Sequence, residues 1–210
     1  MLRYLYRDQL DAYPALRDAM LRDRADQFRT RLGWDVQVDA QGREHDDYDA
    51  LNPLYVIWQR PDGMHGGSMR FLPTTGRTMI ADHFAGLTDL AAITSPLIWE
   101  CTRFCLNRHA SGNTAAALML GGGELMRAFG LRHFVGVFDA RMVRIYRMIG
   151  ASPAVLGSTG KGREAISVGL WHYSTQAHDG LLARAGLSAA VSANWFTRSF
   201  GTPEPQRLTA

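Results

Sequence analysis

The sequence predicts a single α/β fold: one mixed, mostly antiparallel sheet layered by helices. Three observations predict it. Strand-length apolar runs alternate with helix-length amphipathic ones, the early runs are spaced as an antiparallel pair, and no repeat or linker divides the 210 residues. The whole of 1–210 is therefore expected to be one domain, ending in a loosely held Ser-, Thr- and Pro-rich tail from about residue 187.

Residues 1–7 read as a short strand. Leu10, Tyr13, Leu16 and Met20 then recur every three or four positions with charges between them, which predicts a helix stopped by Gly33. Residues 35–53 are polar, turning at Gln41-Gly42 and breaking at Asn52-Pro53. Strands follow at Leu54–Gln59 and Ser68–Leu72, joined as a hairpin through Pro61-Asp62-Gly63. Pro73–Gly76 turns the chain into a short helix around Thr78–Phe84. Beyond it, Leu97–Leu106 reads as a strand, 113–129 as a helix, Arg132–Phe138 as a strand and Ala140–Ile149 as a helix. Ala154–Gly157 and Ala165–Tyr173 read as the last strands.

Composition narrows the class. Apolar content of 46% and charged content of 20% are those of a globular protein, and a chain of this length buries roughly two-thirds of its unfolded surface. The longest apolar stretches, Leu54–Trp58 and Val135–Phe138, are far short of a membrane span. The first seven residues hold no signal-peptide core. Cys101 and Cys105 are too few and too close for a disulfide framework or a zinc site, which points to reduced thiols in the cytoplasm. Seven histidines lie scattered without ligand spacing, so no metal is expected. The basic residues are 22 arginines and the lone Lys161. Arginine suits planar anions, and is equally the mark of a GC-rich genome. Its dispersal argues against nucleic-acid binding.

Gly157-Ser158-Thr159-Gly160-Lys161 is not a phosphate loop, because Val155 occupies the first glycine position and Gly162 follows the lysine. Gly121-Gly122-Gly123 falls inside a helical pattern, where each glycine costs about 1 kcal/mol against alanine. Such a run allows close approach of backbone or of a ligand's chain.

Residues 24–104 carry a constellation that packing does not require. In order stand Arg24, Phe28 and Trp34, then Glu44-His45-Asp46-Asp47-Tyr48-Asp49. Arg70-Phe71-Leu72-Pro73-Thr74-Thr75-Gly76 and Trp99-Glu100-Cys101-Thr102-Arg103-Phe104 complete it. Arginines, carboxylates and aromatics together suit a ligand that is cationic, zwitterionic and flat, as S-adenosylmethionine is. In these blocks and their order the chain resembles the acyl-homoserine lactone synthases, the autoinducer synthases of bacterial quorum sensing.

The resemblance implies a three-layer α/β/α, N-acyltransferase-like fold and a two-step reaction. The methionyl amine of S-adenosylmethionine attacks an acyl thioester, on acyl-carrier protein or CoA, and the methionyl carboxylate then displaces methylthioadenosine to close a lactone. S-adenosylmethionine is a co-substrate, and no true cofactor is implied. Glu100 is the implied proton acceptor, with Arg103, Asp46 and Asp49 completing the catalytic set. Arg24, Phe28, Trp34, Arg70 and Phe104 are the implied nucleotide contacts, and Val137 and Phe138 the implied acyl-pocket wall, Phe138 favouring a short or branched chain. Each has a plainer alternative: a strand salt bridge for Glu100 and the arginines, a solvated acidic run for 44–49, ordinary core for the aromatics. In a regular strand Glu100 and Arg103 point to opposite faces, so both serve one pocket only if a bulge intervenes. Arg141, Arg144 and Arg147 share a helix face suited to an acidic carrier protein or to the phosphates of CoA. Two rivals remain: an acetyl-CoA-type N-acyltransferase, whose Gly-rich pyrophosphate motif is missing after Arg103, and a non-catalytic nucleotide-sensing module.

Overall fold

The computed structural model describes residues 1–201. Seven strands form one sheet in the order β1-β2-β3-β4-β5-β7-β6. β1 (Leu2–Tyr6), β2 (Leu54–Gln59), β3 (His65–Pro73) and β4 (Ile98–Leu106) are antiparallel, each to its neighbour. So are β5 (His133–Asp139), β7 (Ile166–His172) and β6 (Ala154–Thr159). The parallel pair is β4–β5, joined by the crossover helix α4 (Thr114–Phe129), since parallel neighbours need a long connection.

Alternation along β2 separates the two faces. Leu54 and Val56 enter a core under α4 and α7 (Ala189–Phe200), while Tyr55 and Ile57 pack on Leu16 and Met20 of α1 (Pro14–Ala25). α5 (Ala140–Ile149) and α6 (Thr175–Ala185) join the α4 layer through Tyr146, Ile149 and Leu181. Two short helices, α2 (Met79–His83) and α3 (Leu90–Ile93), cover the opposite face with Ile80 and Ile93. The result is three layers, helix on sheet on helix.

β2 and α5 keep their expected limits. Three expectations change. The first helix is broken into a 3₁₀ turn (Asp8–Ala12), α1 beginning at Pro14, and a π-helix (Asp26–Arg31), because proline has no N–H to continue a preceding turn and favours the first helical position. α6 is a helix that the sequence reading did not list. The expected loose tail is, over Ala189–Phe200, the helix α7. Phe196 is 2% exposed and meets Tyr4, Phe129 and Phe200 edge-on or tilted. Residues 202–210 of that tail lie outside the described residues.

The glycine run has a packing cause. A Cβ at Gly121 would come within 2.7 Å of Val56 Cγ1, and one at Gly122 within 3.3 Å of Phe134. α4 therefore lies closer to the sheet than side chains would allow.

Candidate active site

β4 and β5 pair only where Ile98–Glu100 meets His133–Val135. Beyond that point the strands part. Gly136 marks the start of the split, where a Cβ would stand 2.8 Å from the Cys101 carbonyl oxygen. Two cavities open from the split, and Thr102, Arg103, Phe104, Val137 and Tyr146 line both. One, of about 290 Å³, runs under α4 and α6 between apolar and aromatic walls that include Phe71, Met126, Phe134 and Trp171. The other, of about 260 Å³, opens on the opposite side toward the π-helix, with Phe28, Trp34, Met79 and Asp139 on its walls.

A bulge brings Arg103 to this junction. Ser68 pairs with Cys105 but Arg70 pairs with Thr102, so Arg103 and Phe104 together oppose Met69. Arg103 has φ +52°, a left-handed conformation that non-glycine residues seldom adopt. The alternation is thereby reset, and Arg103 reaches Asp46, which Arg70 also holds.

Six side chains close into a ring in which each arginine joins two carboxylates and each carboxylate joins two arginines. Arg24 donates Nε to Glu44 and both Nη atoms to Asp49, at 3.1 and 2.9 Å. Arg70 grips Asp46 with both Nη atoms and donates Nη1 to Asp49 Oδ1 at 2.8 Å. Arg103 completes the circuit with Glu44 Oε1 at 2.9 Å and Asp46 Oδ2 at 2.7 Å. Three positive and three negative charges cancel, so burial is tolerable. The Tyr55 hydroxyl donates to Asp49, and Arg70 Nε to Thr102 Oγ1 at 3.0 Å.

The acidic run is thus no solvated loop. Asp46 caps a 3₁₀ turn (Asp47–Leu51) by accepting the N–H groups of Tyr48 and Asp49, and Asp49 Oδ2 accepts the N–H of Asp46, a reciprocal capping box. Burial raises the Asp46 carboxyl, but the hydrogen bonds and charge of Arg70 outweigh it and hold it below the usual carboxylate range. Asp49 is held lower still: burial opposes, and the charges of Arg24 and Arg70 prevail.

The ring divides the expected residues by exposure. The Arg24, Glu44 and Arg70 side chains are fully buried and line neither cavity. Arg24 and Arg70, expected as nucleotide contacts, turn their guanidinium groups to these carboxylates, and neither borders a cavity. Asp49 is likewise interior and set by the same partners. Asp46 and Arg103, at 17% and 12% side-chain exposure, and Asp49, at 11%, are the less buried members, and of the six only Arg103 borders the cavities. Arg103 also lies 5.4 Å over the Phe28 ring, which stacks parallel on Trp34 at 5.2 Å. Phe28, Trp34 and Phe104 do wall the second cavity.

Glu100 is 1% exposed. Its Oε2 accepts the Met79 N–H at 3.0 Å and its Oε1 the Ile80 N–H at 2.7 Å, so it holds the start of α2. Burial raises its pKa above 4.5, and those two N–H groups offset the rise only in part. It borders neither cavity, and each of its oxygens keeps a lone pair for a water. Val137 lines both cavities, but Phe138 lines only the second. Phe138, expected on an acyl wall, thus borders the second cavity and not the first. Its ring packs edge-on against Tyr146 and Trp171, at 5.5 and 5.8 Å, and both of these line the first cavity.

Sequence reasoning assigned no role to Glu44, Tyr55, Thr102, Tyr146 or Trp171. Glu44 stood inside the quoted acidic block and Thr102 between Glu100 and Arg103, so both were legible as positions. Tyr55 and Trp171 lie in apolar strand runs that read as core.

Residues 8–178 match the family described as autoinducer synthase. The chain is 43% identical over 178 residues to an acyl-homoserine-lactone synthase of Rhizobium etli, covering 81% of this chain and 84% of that one. Among solved structures it resembles a CoA-dependent acyl-homoserine lactone synthase, MesI, with TM-score 0.78 and 21% identity over 91% of this chain and 98% of that one. It also resembles another such synthase, BjaI, solved with SAM and isopentyl-CoA, with TM-score 0.76 and 23% identity over 90% of each chain. At those identities the two structures speak for the fold.

Proposed function

The chain belongs to the autoinducer synthase family and is an acyltransferase, an acyl-homoserine-lactone synthase; on that premise we propose how its two cavities divide the reaction. The second cavity takes S-adenosylmethionine, with Phe28 and Trp34 against the adenine and the Asp46 edge of the ring toward the cationic end. The first takes the acyl chain. The carrying observation is that the cavities meet at the β4–β5 split, where Thr102, Arg103, Phe104 and Val137 border both. An amine in one is thereby next to a thioester carbonyl in the other, the proximity on which the first step depends.

The amine nitrogen attacks the carbonyl carbon, the C–N bond forms, and the thiol leaves as the C–S bond breaks. Glu100 takes the amine proton through one water, because its own oxygens face the α2 backbone. The β4 and β5 edges lose their mutual ladder in the split, and their N–H groups are the donors available to the tetrahedral oxyanion. In the second step a carboxylate oxygen displaces the sulfonium, which departs as neutral methylthioadenosine, so alignment is the main requirement.

Incubation with S-adenosylmethionine and a panel of acyl-CoA and acyl-carrier-protein thioesters tests the reading. Methylthioadenosine and an acyl lactone are expected together; free thiol without methylthioadenosine would instead indicate an ordinary N-acyltransferase. Among the described residues no helix is long and apolar enough to cross a membrane, and both substrates are cytoplasmic metabolites, so the proposed site of action is the cytoplasm.

For donor docking we propose the exposed α5 face bearing Arg141, Arg144 and Arg147, since carrier-protein and CoA thioesters alike present a phosphopantetheine arm. Arg144→Glu with Arg147→Glu is expected to raise the thioester KM and flatten its salt dependence. Unchanged values would return the stripe to a solvated helix face. Phe138→Ala is expected to let Trp171 and Tyr146 relax and shift preference toward longer chains, by an amount worth about 1–3 kcal/mol. A wild-type preference for chains of about ten carbons or more would contradict this gating.

A further inference from the structure

The junction of the two cavities carries one polar group without a part in the chemistry above. Of the five residues that border both cavities, Thr102 and Arg103 are hydrogen-bonded to members of the ring, and Phe104 and Val137 carry no polar side-chain atom. The fifth is the buried Tyr146 of α5, whose hydroxyl has no hydrogen-bond partner among the described residues. A buried tyrosine hydroxyl ordinarily finds one. Unlike the Tyr4 hydroxyl, this one is not sealed off inside the protein, so a partner reaches it from the cavities.

The Tyr146 ring is held without help from its hydroxyl. It meets Trp171 at 5.1 Å, Phe138 at 5.5 Å and Phe104 at 6.4 Å, each edge-on, and these contacts fix where the oxygen points. Burial above all, and then Cys101 and Asp139, push the hydroxyl above the usual tyrosine range. Those two neighbours come one from each cavity: Cys101 borders the first and Asp139 the second. A phenol held that high keeps its proton at neutral pH, so it meets a ligand as a neutral O–H donor.

We propose that the Tyr146 hydroxyl donates a hydrogen bond to the thioester carbonyl oxygen as that oxygen becomes the tetrahedral oxyanion, a side-chain donor beside the N–H groups of the parted strands. The proposal rests on the two-cavity reading above. As the C–N bond forms, the carbonyl π pair moves onto oxygen. It returns as the C–S bond breaks, and the sulfur leaves with that bond's electron pair as thiolate. The proton lost by the amine goes through the water to Glu100 and balances the thiolate charge. The tyrosine O–H bond stays intact throughout, because a thiol is more acidic than a phenol and full transfer to sulfur is uphill. A fixed donor in a buried site gains strength as charge builds on the oxygen, so it acts on the transition state more than on the bound thioester.

The test is Tyr146→Phe, which keeps the three edge contacts. Wild type and variant are compared in two assays: single-turnover acylation with the best thioester of the panel above, and lactonisation of synthetic N-acyl-S-adenosylmethionine. Acylation should fall by roughly 10²-fold, the scale of losing one oxyanion donor. Lactonisation, the KM for each substrate and the melting temperature should stay close to wild type. Fluorinated tyrosines placed at position 146, whose hydroxyls are stronger donors, should change the acylation rate in the order of their acidity, which a packing role would not do. A variant that acylates within a few-fold of wild type would overturn the proposal. So would a raised KM for S-adenosylmethionine with an unchanged acylation rate, which would put the hydroxyl on that ligand. Equal loss in both assays, with a lower melting temperature, would make Tyr146 a packing residue and overturn it too. Wild type that releases no methylthioadenosine with any thioester defeats the two-cavity reading and the proposal together, whereas an active wild type matched by its variant defeats the proposal alone.

Discussion

Arg70→Ala is expected to lower the melting temperature by roughly 10 °C or more and to abolish most turnover. Arg70 is fully buried and holds both Asp46 and Asp49. Removing one member of a buried ionic network leaves the others uncompensated and typically costs about 3–5 kcal/mol, and 1 kcal/mol moves the midpoint of a domain this size by about 2–4 °C. Because Asp46 and Asp49 share Arg70, the double variant Arg70→Ala with Asp49→Asn should be less destabilised than the two single losses summed. Thermal unfolding of the four proteins measures the coupling; strict additivity would show that Arg70 and Asp49 do not act within one network. Its pH dependence has a definite sign. Both aspartates have folded pKa values depressed below 3.8, so their contribution is fully present above the unfolded value and is lost as pH falls below it. Acid unfolding of the wild type should therefore be steep below about pH 4, and shallower in Asp49→Asn.

Glu100→Gln is expected to cut acylation by roughly 10²-fold, the ordinary scale of general-base removal. The substitution also replaces one acceptor facing the Met79 and Ile80 amides with a donor, so α2 will shift. Met79 lines the second cavity, so on the proposed assignment that disturbance registers in the KM for S-adenosylmethionine. Loss of a proton acceptor registers in kcat and removes the acidic limb of its pH profile. A variant with raised KM but near-normal kcat and an intact limb would confine Glu100 to holding α2.

Much of the fold was legible in the sequence because it is locally encoded. The alternation in Leu54–Gln59 and the periodicity of Ala140–Ile149 located those elements at their observed limits. The helix over Ala189–Phe200 was missed because its anchor, Phe196, earns its place only by reaching Tyr4 and Phe129, far away in sequence.

The site shows the same division. Local order of residue types was sufficient to determine the family, the reaction class and the identity of the polar constellation, including the requirement for a bulge between Glu100 and Arg103. Tertiary structure alone decided which members are sealed and which border a cavity. Arg24, Arg70 and Arg103 are alike in sequence, yet two are sealed against carboxylates and one borders the cavities, and Phe138 packs edge-on against Trp171 on the wall of the second cavity. A side chain's burial and partners depend on what distant segments bring against it. Charge and hydrophobicity in the chain specify that a partner must exist, and only packing specifies which one.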